Sequence, residues 1–288
     1  FGDGRPDPAA IRSLVWQLHD QGRLRYLLLV GDASAHPDGY AGENGALLVV
    51  SDLVPTLHLH ETPSDQTMIT DKQGQPLIAV GRFPAKTPAE VETMVQKTLQ
   101  WEKTGPTSTL ILSDDQPDFG HFVQVVGPLL PTTTQQLDAA QADARSLVLE
   151  QLEKESTWLN YVGHGSLALW GDEKLLQRED EWGKAAVVTV WACLSAYFVH
   201  PEQDSLAEVW LRSAQGGAVA FVGPTGETYL YHQEPFASTF YQEIQAGRSV
   251  GEALLAAWQA AGDDALDVVR SYLLLGDPAL RLHAPPPE

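Results

Sequence analysis

Cysteine is almost missing from this chain: Cys193 is the only one in 288 residues. A single thiol excludes an intrachain disulfide framework and a multi-cysteine zinc site, since both draw on several cysteines. Basic residues are also scarce, 18 Lys and Arg against 38 Asp and Glu, for a formal net charge of −20. They form no cluster, so nucleic acid and anionic membranes are not expected partners. No apolar run approaches the ~20 residues of a bilayer span, so no membrane span is expected. The chain has neither an initiator Met nor a signal peptide, and it ends on HAPPPE. That tail reads as the start of a proline-rich linker over 284–288, and the chain as a piece of a longer polypeptide with further domains.

What is present describes a packed protein. Hydrophobic residues make up 43% and charged residues 19%, which implies a core rather than disorder. The length suits one large α/β domain or two smaller units. Asp7-Pro8 opens a helix with Ile11, Leu14, Val15 and Leu18 at helical spacing, closed by Gly22. Short apolar strands are expected at Tyr26–Val30, Ala46–Val50 and Leu77–Gly81. Thr87–Glu90 is a capping box, with Val91, Met94, Val95 and Leu99 behind it. Gly105-Pro106 stops that helix and divides the chain into an N-terminal unit, 1–105, and a second unit, 106–283.

The second unit reads as strand Thr109–Ser113, a helix carrying Phe122, Val123, Val126 and Leu130, and a helix over Thr134–Lys154. A strand then ends at His164, another spans Ala186–Ala192, a helix carries Leu206, Val209 and Trp210, and a strand covers Ala218–Val222. Ser249–Glu252 is a second capping box, and SYLLLGDPALRL reads as a turn with an edge strand. Apolar strands alternating with helices imply an α/β fold: a mostly parallel sheet covered on both faces, with ligands bound beyond the strands' carboxyl ends.

Two such ends carry reactive side chains. TWLNYVGHGS delivers His164 between Gly163 and Gly165, and AAVVTVWACLSAYF delivers Cys193 twenty-nine residues later. A thiol needs a base to become a thiolate, and an imidazole on a neighbouring strand tip can supply one. The flanking glycines let the backbone turn sharply beside a ligand. Asp32, Asp65 and Asp277 also follow or lie near strand ends, but no spacing pairs them into a metal cluster. His58 and His60 alternate on one face of an expected strand without a third ligand, so no metal site is assigned.

The pair NYVGHGS and VWACLSAYF resembles the gingipain-like C25 cysteine peptidases of the caspase–hemoglobinase superfamily. Further blocks fall in that family's order: YLLLVGDAS, Pro63–Gln66 followed by IAVGRFPAKTPAEVETMVQKTLQWE, then SLAEVWLR, GAVAFVG and YLLLGDPALRL. The resemblance implies a three-layer α/β/α sandwich of two subdomains, the first lacking the family's opening strands. It implies a cysteine endopeptidase in which Cys193 is the nucleophile and His164 the general acid/base, with N–H groups of Gly165 and Cys193 as the oxyanion hole. An acidic residue after the preceding strand would orient the His; Asp114 and Asp115 both stand there, and Asp115 is favoured. His121 in the same loop reads as a surface residue.

The resemblance also places a substrate pocket in GPTGETYLYH and DDQPDFGH, with Thr225 and Tyr229 on its wall and Asp118 facing a basic side chain. It implies a peptide or protein substrate, no required cofactor, a structural calcium as the one ion the family commonly holds, and a place outside a bacterial cell or in its envelope. A transpeptidase of the same family, resolving the acyl-enzyme with an amine, and a silent binding domain are the alternatives. A metal-dependent phosphohydrolase is a more distant third.

Overall fold

The computed structural model describes residues 7–35 and 48–282. In chain order they form α1 (Pro8–Asp20), β1 (Tyr26–Val30), β2 (Leu53–Val54), β3 (Thr62–Pro63), β4 (Ala79–Phe83) and α2 (Pro88–Thr104). There follow β5 (Ser108–Ser113), α3 (Pro117–Val126), β6 (Gln135–Asp138), α4 (Ala144–Lys154), β7 (Thr157–Val162), β8 (Leu169–Trp170) and β9 (Leu176–Gln177). The chain closes with β10 (Ala185–Trp191), α5 (Leu206–Arg212), β11 (Gly217–Pro224), α6 (Leu230–Gln245), α7 (Val250–Ala260), α8 (Leu266–Ser271) and β12 (Tyr272–Leu275).

Eight strands build one sheet in the order β1-β4-β12-β11-β10-β7-β5-β6. Every pairing is parallel except β11 with β12. The sheet is thus two parallel blocks running in opposite directions and meeting at that seam. Helices cover both faces. Along β10, Val187 and Trp191 face one core with α3, α6 and α7, while Ala186, Val188 and Val190 face the other with α4 and α5. This alternation is the two-residue side-chain period of a strand buried on both sides.

Several expected elements differ. The helix expected over Thr134–Lys154 is a short strand, β6, followed by α4. The polar run QQLD hides an edge strand whose outer half is exposed. The final segment is not at the edge: β12 lies between β4 and β11. Helix α6 is an addition, unannounced because it has no side-chain cap and holds Pro235 inside it. Of the strand expected over Ala46–Val50, the first two residues lie outside the described residues, and Leu48 makes an isolated bridge with Asp32. Phe1–Gly4 and the HAPPPE tail also lie outside them. The Gly105 turn (φ 61°) does separate α2 from β5, and the strands on its two sides join one continuous sheet through β12.

Candidate active site

The site forms where β7 and β10 end together. Their last register pair is Trp191 with Val162, so Cys193 and His164 each stand two residues beyond it. Adjacent strands lie ~4.8 Å apart, which brings the two loops side by side. The Gly163 N–H donates to the Trp191 carbonyl at 3.1 Å, and the chain then leaves the sheet. After Cys193 it turns at Leu194, whose φ of 56° is the left-handed region a branched residue rarely occupies. The turn is held by Leu194 N–H on the Gly226 carbonyl (3.1 Å) and Ala196 N–H on the Pro224 carbonyl (2.9 Å).

Both glycines beside His164 are required by close approach. A Cβ on Gly163 would stand 2.6 Å from the Asp114 Cβ, and one on Gly165 would stand 2.8 Å from both the Ala192 Cβ and the Cys193 carbonyl oxygen. The histidine loop is therefore pressed directly onto the cysteine loop. Ser195 reinforces the junction: its hydroxyl donates to the Cys193 carbonyl (3.2 Å) and accepts from the Trp170 indole (3.1 Å).

His164 is held at backbone and ring. Its N–H donates to Asp114 Oδ2 (3.1 Å) and its carbonyl accepts from the Tyr161 hydroxyl (2.7 Å). The ring Nε2 lies 2.7 Å from the amide nitrogen of Gln116, and the ring meets Phe119 edge-on at 5.2 Å. An amide nitrogen only donates, so in this contact the ring Nε2 is the acceptor. The acidic contact differs from the expected one. Asp114 is buried and takes the N–H groups of Asp115 and His164, whereas Asp115 is exposed. Spacing cannot tell these two apart; strand register turns Asp114 inward, beside the Gly163 turn. Gln116 carried no signal in the sequence.

Cys193 is half-buried, its Sγ 3.9 Å from the Thr228 carbonyl. Burial pushes the thiol's pKa up, the Glu227 carboxylate adds to this, and the Thr228 backbone contact only partly offsets it. The resting sulfur is thus a neutral thiol.

The remaining expected residues divide. Thr225 is fully buried, its hydroxyl donating to the carbonyls of Pro63 (2.7 Å) and Ser271 (2.9 Å), so its side chain ties loops together instead of facing a ligand. Tyr229 is 42% exposed, with His58 edge-on at 5.3 Å and Tyr231 stacked on it at 5.3 Å. Asp118 is exposed in the first turn of α3, one residue before Phe119. His121 is exposed as expected. His58 and His60 lie in a bend, not on a strand, and His58 faces Glu227 at 4.0 Å.

Among the described residues, Asp114, Asp115 and Glu173 bring carboxylate oxygens within 4.8 Å of one another. Calcium takes 6–8 oxygen ligands, and Asp114 already binds two backbone N–H groups. Three carboxylates supply only part of such a shell. Asp65 and Asp32 serve ion pairs with Arg82 and Arg212, and Asp277 caps a turn at Ala279.

The fold is shared with solved cysteine proteinases. The crystal structure of the Arg-specific cysteine proteinase gingipain R matches with a TM-score of 0.72 at 17% identity, covering 94% of this chain and 67% of that one. The complex of Porphyromonas gingivalis RgpB pro- and mature domains matches with a TM-score of 0.72 at 16% identity, covering 94% and 69%. A structure described as a protease gives 0.73 at 18% identity, covering 96% and 69%. A comparison with curated protein sequences found no significant match. At sequence level the model of peptidase family C25 matches residues 1–283, and with the caspase–hemoglobinase architecture beneath it the chain is a gingipain-like cysteine peptidase of that family.

Proposed function

We propose that the chain is an endopeptidase working through Cys193 and His164. The observation that carries this reading is their equal stagger beyond the last β7–β10 register pair, with Gly165 wedged between the two loops. Proton transfer from Sγ to the imidazole would give the thiolate, which attacks the scissile carbonyl carbon. The C–N bond breaks as His164 returns the proton to the leaving amine, leaving a thioester on Sγ. Water, deprotonated by the same imidazole, then adds to the thioester carbonyl and expels the thiolate, releasing the acid. The N–H groups of Gly165 and Cys193 are assigned to the oxyanion of each tetrahedral intermediate. No cofactor enters this sequence.

Engagement requires a change from the resting arrangement, where Gln116 occupies the imidazole Nε2 and the sulfur faces Thr228. Substrate entering between α3 and the α6 amino end would compete with both contacts. Asp118, in the first turn of α3, and Tyr229, just before α6, are assigned to a basic side chain preceding the scissile bond, by charge and by ring face. By family, the site of action is outside the cell or in its envelope, and no helix among the described residues is long and apolar enough to cross a membrane. The test is cleavage of a peptide library varied at that position, with an amine acceptor present in parallel. Hydrolysis after Lys or Arg, lost in Cys193→Ala and His164→Ala, is expected. Unchanged turnover in Cys193→Ala would sink the dyad, and ligation in place of hydrolysis would replace the endopeptidase by a transpeptidase.

A further inference from the structure

Helix α5 touches both catalytic loops through its backbone. The first N–H groups of a helix have no partner within it. Here the Leu206 N–H donates to the Leu167 carbonyl (2.9 Å), three residues past His164, and the Ala207 N–H to the Ser195 carbonyl (3.3 Å), two residues past Cys193. The third is capped by Ser205, whose N–H and hydroxyl both donate to Glu208 Oε2 at 2.7 and 2.8 Å. One turn on, Arg212 donates to Glu208 Oε1 (3.0 Å) and to the Pro84 carbonyl (2.7 Å), and pairs with Asp32 and Asp204 at 3.0 Å each. Glu208 is 1% exposed. Asp32 lies two residues past β1 and Pro84 follows β4, so this guanidinium docks the helix against the block of the sheet that carries neither catalytic residue.

We propose that Arg212 and Glu208 are positioning residues for the catalytic pair, acting through α5, whose first two N–H groups hold the His164 and Cys193 loops at a fixed separation. The inference rests on Cys193 and His164 being the reactive pair. Apart from the Ser205 cap and the Arg212–Asp204 pair, whose partners stand in the stretch that leads into the helix, α5 has no other bond to those loops among the hydrogen bonds described, so rotation or translation of its axis moves both loop carbonyls together. Lysine cannot replace Arg212: one ammonium cannot meet Glu208, Asp32, Asp204 and the Pro84 carbonyl in their fixed directions. Glutamine at 208 sets an amide NH2 against either the guanidinium or the Ser205 donors. Helix α7 supplies a matched control, because its Ser249–Glu252 box has the same construction, but its Val250 and Gly251 N–H groups bond Leu280 and Pro278, away from both loops.

The readout is alkylation of Cys193, which needs no substrate and is unambiguous because the chain has no other thiol. Rate against pH would be measured with iodoacetamide on folded Glu208→Gln, Arg212→Lys, Glu252→Gln and the unaltered protein. The two α5 variants are expected to lower the rate at pH 7 about tenfold, the loss of thiolate from a one-unit rise in the thiol's midpoint as the displaced Cys193 loop loses the Thr228 backbone contact that lowers it, with the alkaline-limit rate unchanged. Glu252→Gln is expected to match the unaltered profile. The proposal is overturned if the α5 variants keep the unaltered midpoint, if only the alkaline limit moves, or if Glu252→Gln shifts the midpoint equally. Absence of peptide cleavage in every protein, with the midpoint shift intact, would count against the proposed function alone.

Discussion

Asp114 shows how one buried carboxylate can organise a reactive loop without touching the reactive ring. Its two oxygens take the N–H groups of Asp115 and His164, so the backbone that carries the imidazole is pinned to the end of β5. Asp114→Asn would turn an NH2 toward one of those donors, leaving a part-buried N–H without its acceptor at about 1 kcal/mol. Peptide hydrolysis by this variant is expected to fall on the order of 100-fold in kcat with the fold retained, as a ~1 Å displacement of a catalytic group produces. Circular dichroism and steady-state kinetics check both halves. A second residue-scale outcome concerns Gly165→Ala, whose Cβ would collide with the Cys193 carbonyl, and loss of hydrolysis is expected there without loss of Cys193 itself. The placement of His164 and Cys193 at neighbouring strand tips was legible in the sequence because Cys193 is the one cysteine and His164 stands between two glycines, each after an apolar run. Asp114 was not separable from Asp115, since burial is decided by the β5–β7 register, which spacing does not encode. Gln116 and Thr225 are polar loop residues whose roles depend entirely on distant partners.

At the scale of elements, capping chemistry was the most readable part of the chain. The boxes at Thr87–Glu90 and Ser249–Glu252 both form with their reciprocal bonds. Burial alone would raise Glu252, but the Ser249 N–H, the Arg25 guanidinium and the Tyr26 hydroxyl outweigh it and bring its pKa from 4.5 down to about 2. A carboxylate depressed in the folded state adds stability above its unfolded pKa, and that contribution disappears as pH falls through the folded value. The melting temperature of the unaltered protein is therefore expected to lose ground against Glu252→Gln between about pH 4.5 and pH 2, as followed by thermal scans at each pH. Elements without local signals were misread. β6 is polar and at the edge, α6 tolerates an internal proline, and β12 looks like a terminal appendage although it fills a gap in the sheet. In each case tertiary contacts outweighed the local pattern.

Across the whole molecule, one buried cation gathers the chain on the β1–β4 side. Arg82 in β4 is 0% exposed and spends all five N–H groups: two on Asp65, and one each on the carbonyls of Gly31, Val49 and Val50. The Phe198 ring, from the loop that follows Cys193, lies 5.0 Å from its guanidinium. Arg82→Ala leaves Asp65 buried without its partner and is expected to cost about 3–5 kcal/mol in urea denaturation, with Cys193 reactivity disturbed through Phe198. The sheet itself carries a further consequence in time. Its two blocks are joined by β12, the last strand of the order in which the chain is made. While a ribosome is still extending the chain, β4 and β11 have no strand between them, so the block that carries Cys193 and His164 is not yet joined to the β1–β4 block. A sheet assembled this way closes only once β12 has emerged, so its two blocks are joined later than either block is made.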